Sequence, residues 1–122
     1  MNCEVGDIVL VDRYVYPDGS EGSYHNFVIM DERDGKFDAV PLDYIGFLIS
    51  SKAGKNNDVN INFPYNEPIY PDNYNKLRDI GHVKCDIPFS ILPDNIIMKL
   101  GVVSIPQYER FLELYEQSKH NQ

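Results

Sequence analysis

The stretch Gly81-His-Val-Lys-Cys-Asp-Ile-Pro-Phe-Ser90 decides how this chain folds, because apolar and ionisable side chains alternate along it. The apolar positions are Val83, Cys85 and Ile87, and the ionisable positions are His82, Lys84 and Asp86. A period of two is typical of a half-buried β-strand, whose successive side chains point to opposite faces. We therefore expect one face to enter a core and the other to carry titratable groups spaced roughly 6–7 Å apart.

An imidazole, an ammonium and a carboxylate on one strand face can accept, donate and stabilise a proton without a metal ion. This property makes His82, Lys84 and Asp86 candidate catalytic residues. The alternative interpretation is a solvated strand face with a loose ion pair, which contributes well under ~1 kcal/mol to stability.

Length and composition indicate a single globular domain spanning residues 1–122, with 43% hydrophobic residues. The longest apolar runs, such as Ile8-Val-Leu-Val11, are too short to span a bilayer, so no membrane association is expected. The first residues contain neither a basic region nor an apolar leader, and only two distant cysteines are present. These features predict a cytoplasmic protein with reduced thiols and Cys85 facing inward.

The net charge of −8 comes from 11 Lys and Arg against 19 Asp and Glu. Nucleic-acid binding normally relies on Lys and Arg that neutralise the phosphate backbone. A broad nucleic-acid surface is therefore not expected, although a local groove can be positive on an acidic protein. Ser51-Lys-Ala-Gly-Lys-Asn-Asn57 is one of the few net-basic stretches.

Most of the remaining chain is predicted to form short strands, at 7–14, 25–31, 37–42, 44–51 and 59–63, with 37–51 alternatively one strand bent at Pro41. Residues 64–79 are rich in Pro, Asn and Tyr and predict an irregular excursion with one helical turn. Its tyrosines Tyr65, Tyr70 and Tyr74 are interpreted as packing residues, the alternative being stacking on RNA bases. Residues 94–100 predict a short helix.

The C-terminal segment has a different pattern. Ser104-Ile-Pro-Gln107 has the form of a capping box, and apolar residues then recur at three- and four-residue steps. The sequence therefore predicts an amphipathic helix at 106–118. Five to six antiparallel strands with one C-terminal helix indicate a mainly β (α+β) fold, a small curled β-barrel.

Four stretches resemble the Kid/PemK and MazF toxins, the RNA-cleaving halves of bacterial toxin–antitoxin pairs. Residues 81–91 resemble that family's Gly-Val-Val-Arg-Cys-Asp-Gln-Pro-Arg-Thr-Ile segment. Val5-Gly-Asp-Ile-Val-Leu-Val-Asp12 resembles its opening strand, and Gly19-Ser-Glu-Gly22 resembles its Gly-Ser-Glu-Gln loop. Ile49-Ser-Ser-Lys52 resembles the stretch that contains its Thr-Ser pair, and the four stretches follow the family's order.

The resemblance implies an SH3-like barrel that forms a homodimer with an RNA groove at the shared interface. It implies metal-independent cleavage of single-stranded RNA with no cofactor. In that reaction the ribose 2′-oxygen attacks the adjacent phosphorus, and a 2′,3′-cyclic phosphate and a 5′-hydroxyl are left. A cognate antitoxin protein is expected to hold the toxin inactive.

The resemblance also assigns catalytic roles residue by residue. Asp86 matches the aspartate proposed as the base, and Lys84 stands where the Kid branch has an arginine proposed as acid and phosphate anchor. Lys keeps the charge but lacks the bidentate fork of Arg. His82 replaces an apolar RNA-contacting residue and is expected to exchange protons near neutrality.

RNA-binding residues are implied at five further positions. Ser50 and Ser51 match the Thr-Ser pair, and Lys52 follows them. His25 stands at the family's Arg-Pro pair, and Glu21 matches the loop glutamate. The alternatives are that the serines end a strand, that His25 lies on the barrel rim and that Glu21 is a solvated loop carboxylate.

The chain departs from the family at cationic and polar positions. His25 and Asn26 replace the Arg-Pro pair, and Ile87 and Phe89 replace Gln and Arg. Toxin-type RNA cleavage is the preferred hypothesis. The alternative is a catalytically weakened protein of the same fold that binds RNA or protein without cleavage. A third hypothesis is a protein-directed toxin like the gyrase-poisoning CcdB branch, which lacks the Lys/Arg-Cys-Asp strand.

Overall fold

The computed structural model describes residues 2–31, 43–51 and 63–120. The strands are β1 (Asp7–Val11), β2 (Tyr14–Val15), β3 (Glu21–Gly22), β4 (His25–Asp31), β5 (Tyr44–Ser50), β6 (Asn66–Ile69), β7 (Gly81–Ile91) and β8 (Ile96–Val102). A 3-10 turn at Pro93–Asn95 precedes β8, and the helix α1 (Ile105–His120) follows it. The predicted strand at 37–42 and most of the predicted strand at 59–63 lie outside the described residues.

Within the described residues, six strands form one antiparallel sheet in the order β6-β7-β5-β4-β1-β8, and β2 pairs with β3 in a separate hairpin. The prediction of a mainly β fold with one C-terminal helix is confirmed. The edges of the sheet are β6 and β8, so closure into a barrel stays a prediction. The connection after β6 nevertheless reaches the far edge, where the Val102 amide donates a hydrogen bond to the Tyr74 carbonyl at 3.0 Å.

Alternate residues of the central strands enter two cores on opposite faces of the sheet. The first core, on the helix face, contains Ile8, Val28, Phe47 and Val83 with Phe111, Leu114 and Tyr115 of α1. The second core, on the hairpin face, contains Val9, Phe27, Leu48 and Phe89 with Tyr14 of β2. Because both faces are covered, β5 is apolar along nearly its whole length instead of alternating.

A bend in the middle of β7 changes the sheet face that its apolar residues enter. Ile49 of β5 pairs with Val83 of β7, and Phe47 pairs with Pro88. Two residues of β5 therefore lie opposite five residues of β7, which has three extra residues. An odd number of extra residues moves the alternation to the opposite face. Val83 and Cys85 therefore pack on the helix face, and Phe89 and Ile91 pack on the hairpin face.

The predicted helix at 94–100 is wrong, since most of this segment is the edge strand β8. It pairs antiparallel with β1, and Ile96 is buried in the second core. Lys99 also forms an ion pair with Asp7 of β1 at 3.1 Å. Pairing with an otherwise open strand outweighs local helix propensity here. For the same reason, β6 pairs with β7 within residues 64–79, which were predicted to be irregular.

The C-terminal helix and its capping box are confirmed. The Gln107 amide donates to Ser104 Oγ at 3.2 Å, and the Ser104 amide donates to Gln107 Oε1 at 3.4 Å. The buried side chains of α1 include Phe111, Leu114 and Tyr115, which cover the helix face of the sheet. No helix in the described ranges is long and apolar enough to cross a bilayer.

A substitution at Gly101 tests the contact between the edge strand β8 and the β6–β7 connection. A Cβ at this position would lie 2.4 Å from the Asn75 carbonyl oxygen and 2.5 Å from that of Tyr74. Because backbone atoms cannot move aside as a side chain can, we expect Gly101→Ala to lower the free energy of unfolding by about 1–3 kcal/mol. Urea unfolding measures this change. Met98→Ala, at an exposed position of the same strand, is the control and should cost less.

Candidate nucleic-acid site

A cleft of about 370 Å³ lies at one end of the sheet, under the connection between β6 and β7. Strands β4, β5, β7 and β8 contribute to its lining, together with residues 76–79 of the connection. Its lining residues with ionisable or hydroxyl side chains include His25, Ser51, Lys76, Arg78 and Asp79. The cleft therefore brings together His25 and Ser51, which the sequence placed in two separate motifs.

The cleft is lined by two basic side chains, Lys76 and Arg78, and by one acidic side chain, Asp79. Neither cation forms an ion pair with another residue in the described part of the chain. On a protein with a net charge of −8, this is a local positive site. Such a site can attract an anion even where the whole surface repels it.

The segment at residues 71–79, called the lip here, is held in shape by two side chains. Asp72 Oδ1 accepts hydrogen bonds from the amides of Tyr74 and Asn75, both at 2.8 Å. The fully buried Asn75 bonds in turn to the amides of Asp72 and Leu77 and to the Tyr70 carbonyl. These bonds give the lip a fixed path over the cleft.

The lip also contains one residue with an unusual backbone conformation. Lys76 has a φ of +60°, in the left-handed region that residues other than glycine seldom adopt. Neighbouring contacts must impose such a conformation, and strained residues of this kind cluster at functional sites. The bonds of Asn75 on either side of Lys76 supply that constraint.

Removing the Asn75 side chain tests whether the lip is held from within. Asn75→Ala leaves two amides and one carbonyl without their partner, so we expect a loss of about 1–3 kcal/mol of unfolding free energy. Hydrogen exchange at the Leu77 amide should also become faster. The adjacent Asn73→Ala, at an exposed position, is the matched control and should change neither quantity.

His25 is held by the aromatic cluster on the hairpin face. The Tyr14 hydroxyl lies 2.5 Å from His25 Nδ1 and 3.4 Å from the Tyr16 hydroxyl. Burial raises the pKa of Tyr14, with a further contribution from the hydrogen bond to Tyr16. His25 therefore lines the cleft, and Tyr14, which contacts its ring, lies outside the cleft.

The three predicted catalytic residues occupy different environments along β7. His82 is 7% exposed and pairs across the sheet with Ser50, so it lies in the interior and not on a solvated face. Lys84 and Asp86 lie at the bend, where Lys84 is half-buried and Asp86 is exposed. Neither of them lines the cleft, which β7 enters at Gly81, roughly 10 Å from Lys84 along an extended strand.

The buried imidazole of His82 has no hydrogen-bond partner at Nδ1 among the described residues. Desolvation lowers its pKa from the ordinary value of 6.5. The folded protein therefore holds His82 neutral under conditions in which the unfolded chain binds a proton.

This difference predicts a loss of stability on the acid side. Stability present above about pH 6.5 falls as the pH drops below that value, because only unfolding allows His82 to take up its proton. In urea melts between about pH 7.5 and 5.5, His82→Gln should flatten this slope. His120→Gln, at an exposed position of α1, should retain it. An identical slope in His82→Gln would contradict the burial of a neutral imidazole.

The other predicted residues are distributed over the structure. Ser50 is half-buried opposite His82, and Glu21 is exposed on the β2–β3 hairpin. Lys52 lies outside the described residues. Phe89, at the family's arginine position, is 3% exposed and packs edge-to-face on Tyr14 and Tyr16.

Sequence reasoning missed the two cations of the lip and the tyrosine that holds His25. Lys76-Leu-Arg78 is a basic pair in an otherwise Pro-, Asn- and Tyr-rich segment, and this was the available signal. Tyr14 gave no signal, since it reads as the end of an apolar strand. Its role depends on a hairpin that folds it back against β4.

No protein-family model matches the chain, and no curated protein matches it. Among the described residues, no group of three His, Cys, Asp or Glu side chains is placed to hold a metal ion.

Proposed function

We propose that the chain is the toxin of a toxin–antitoxin pair, a metal-independent endoribonuclease that binds single-stranded RNA in the cleft. The observation that carries this proposal is the cleft itself. It places His25 and Ser51, two residues singled out by the family resemblance, beside the cations Lys76 and Arg78. A hydroxyl, an imidazole and two cations around a concave surface suit a phosphodiester.

Lys76 and Arg78 of the lip would supply positive charge that the chain lacks at positions 25 and 89, where the toxin family has arginine. Lys76 and Arg78 would contact backbone phosphates, and Ser51 would donate a hydrogen bond to a phosphate oxygen or a base. These contacts position the strand without selecting its sequence. A strand several nucleotides long spans the roughly 10 Å from Gly81, in the cleft, to Lys84 at the β7 bend.

Cleavage would take place at the bend. Asp86 takes the proton of the ribose 2′-hydroxyl while the 2′-oxygen bonds to phosphorus, and the bond from phosphorus to the 5′-oxygen breaks. Lys84 stabilises the crowded phosphorane and donates a proton to the departing oxygen. The products are a 2′,3′-cyclic phosphate and a 5′-hydroxyl. A cognate antitoxin would inhibit the toxin by covering this surface, and the active form is proposed to be a cytoplasmic homodimer.

A second candidate function is RNA binding without efficient cleavage. It is favoured by the separation of Lys84 and Asp86 from the cleft and by the burial of His82. A base and an acid outside the binding cleft would hold the reacting phosphate less closely, so turnover would be slow. In this case the cleft remains the binding site and β7 loses its catalytic role.

RNA cleavage in EDTA tests the proposal. We expect the purified protein to cut a single-stranded RNA and leave cyclic phosphate ends, and Asp86→Ala or Lys84→Ala to reduce the rate at least about 100-fold, as loss of a general acid or base does. Gel analysis of end-labelled RNA measures both. Binding without cleavage by the wild type would favour the second candidate. Growth arrest with intact RNA would favour a protein target instead.

The contribution of the lip is tested separately by binding at several salt concentrations. The double variant K76A/R78A should bind RNA about 10-fold more weakly, with a salt dependence reduced by about 0.7 per lost phosphate contact. The control is R13A/K119A, which removes equal charge at exposed positions outside the cleft. Equal effects of the two double variants would show that overall charge, and not the cleft, attracts RNA.

A further inference from the structure

Part of the cleft lining is apolar, and the proposed phosphate contacts give it no role. This part includes Ile49, Leu77 and Leu100. Ile49 belongs to the first core, and the two leucines pack against that core. A phosphate binds through charge and hydrogen bonds, which these side chains cannot supply. Such a lining suits a flat and largely apolar group instead.

Tyr24 adds an aromatic ring to the same lining. The residue is 67% exposed, and its backbone φ is +54°, in the left-handed region. Among the described residues, Lys76 is the other non-glycine residue with a positive φ, and it lines the cleft as well. The Tyr24 amide donates to the Asp12 carbonyl at 3.3 Å, which holds this conformation beside the end of β1. An exposed tyrosine alone is common, but residues held in this conformation cluster at ligand-binding sites.

Asn26 supplies a polar group to the lining. It is half-buried in β4, on the same sheet face as Val28 of the first core. Its side-chain amide carries a donor and an acceptor next to each other, and it forms no hydrogen bond with the described residues. Every nucleobase presents a neighbouring donor and acceptor on its Watson–Crick edge, and in a single strand that edge is unpaired.

We infer that the cleft holds one unpaired nucleobase, whose face stacks on Tyr24 and whose edge forms hydrogen bonds with the Asn26 amide. The volume of about 370 Å³ is within the range of sites that enclose a small organic molecule. Phosphates next to this base would contact Lys76 and Arg78. The resemblance to the toxin family assigned no role to Tyr24 or Asn26.

This inference rests on the proposed function, since it specifies which part of the RNA enters the cleft. It also gives a physical reason for a preference for single strands. A base in a duplex is already stacked and paired, so it would have to leave the helix before it could enter the cleft.

Binding of two single-stranded oligomers of equal length and charge separates base contacts from backbone contacts. One is 2′-O-methyl RNA, which lacks the attacking hydroxyl and is not cleaved, and the other has the same backbone without bases. We expect the wild type to bind the RNA at least about 10-fold more tightly, as expected for one base stacked on an aromatic ring. Fluorescence anisotropy of end-labelled oligomers measures both affinities. Equal affinities would overturn the inference, because the cleft would then bind the backbone alone.

Variants of Tyr24 test where the base binds. Tyr24→Ala should weaken binding of the RNA about 10-fold and leave binding of the base-free oligomer unchanged. Tyr24→Phe keeps the ring and should stay within about 2-fold of the wild-type affinity. Tyr70→Ala, at an exposed tyrosine that does not line the cleft, is the matched control and should change neither affinity. An unchanged affinity in Tyr24→Ala, or an equal loss in Tyr70→Ala, would overturn the inference.

The same assay tests the hydrogen bonds to the base edge. We expect Asn26→Ala to weaken binding of the RNA about 5-fold and to leave the base-free oligomer unaffected. The double variant K76A/R78A should instead weaken binding of both oligomers by the same factor, since both carry the phosphates. RNA binding that is insensitive to Tyr24→Ala overturns this inference alone. If the wild type binds neither oligomer and no unmodified RNA, the proposed function fails and the inference fails with it.

Discussion

A close approach between two backbones, that of β8 and that of residues 74–75, is the contact on which the cleft depends. Gly101 permits it, because any side chain there would overlap the carbonyl oxygens of the lip. The Val102 amide then bonds to Tyr74, and Asn75 fixes the lip from within. A segment that would otherwise be a long surface loop is thereby attached to the opposite edge of the sheet. Lys76 and Arg78 owe their positions over the cleft to this attachment.

The bend in β7 is the second constraint, because it lets the two halves of the strand pack on opposite faces of the sheet. Its first half packs on the helix face and leads into the cleft, whereas its second half packs on the hairpin face against Tyr14. Bulges and bends of this kind are common beside functional sites, because they re-aim side chains. Lys84 and Asp86 lie at the point where the alternation changes face. His82, two residues before Lys84, is buried instead.

The loop that resembles the toxin family has a packing role in this fold. Gly22 ends that loop, and the missing side chain leaves room for the Tyr14 ring beneath it. Phe89 of β7 closes the same aromatic cluster. These residues connect the hairpin to His25. The second core therefore also supports the His25 side of the cleft. The cationic surface, by contrast, is concentrated on the lip.

The sequence alone determined that β1, β4, β5 and β7 are strands, that Cys85 points inward and that the C-terminal helix is capped, since each depends on neighbours within a few residues. Local pattern could not show that β7 changes face, because a bulge preserves the alternation of burial while reversing its direction. Nor could it show β6 and β8, which form because adjacent strands offer unpaired backbone. Only the tertiary structure brought Tyr14, His25 and the lip together. Their juxtaposition depends on contacts between residues distant in the chain, which no local pattern encodes.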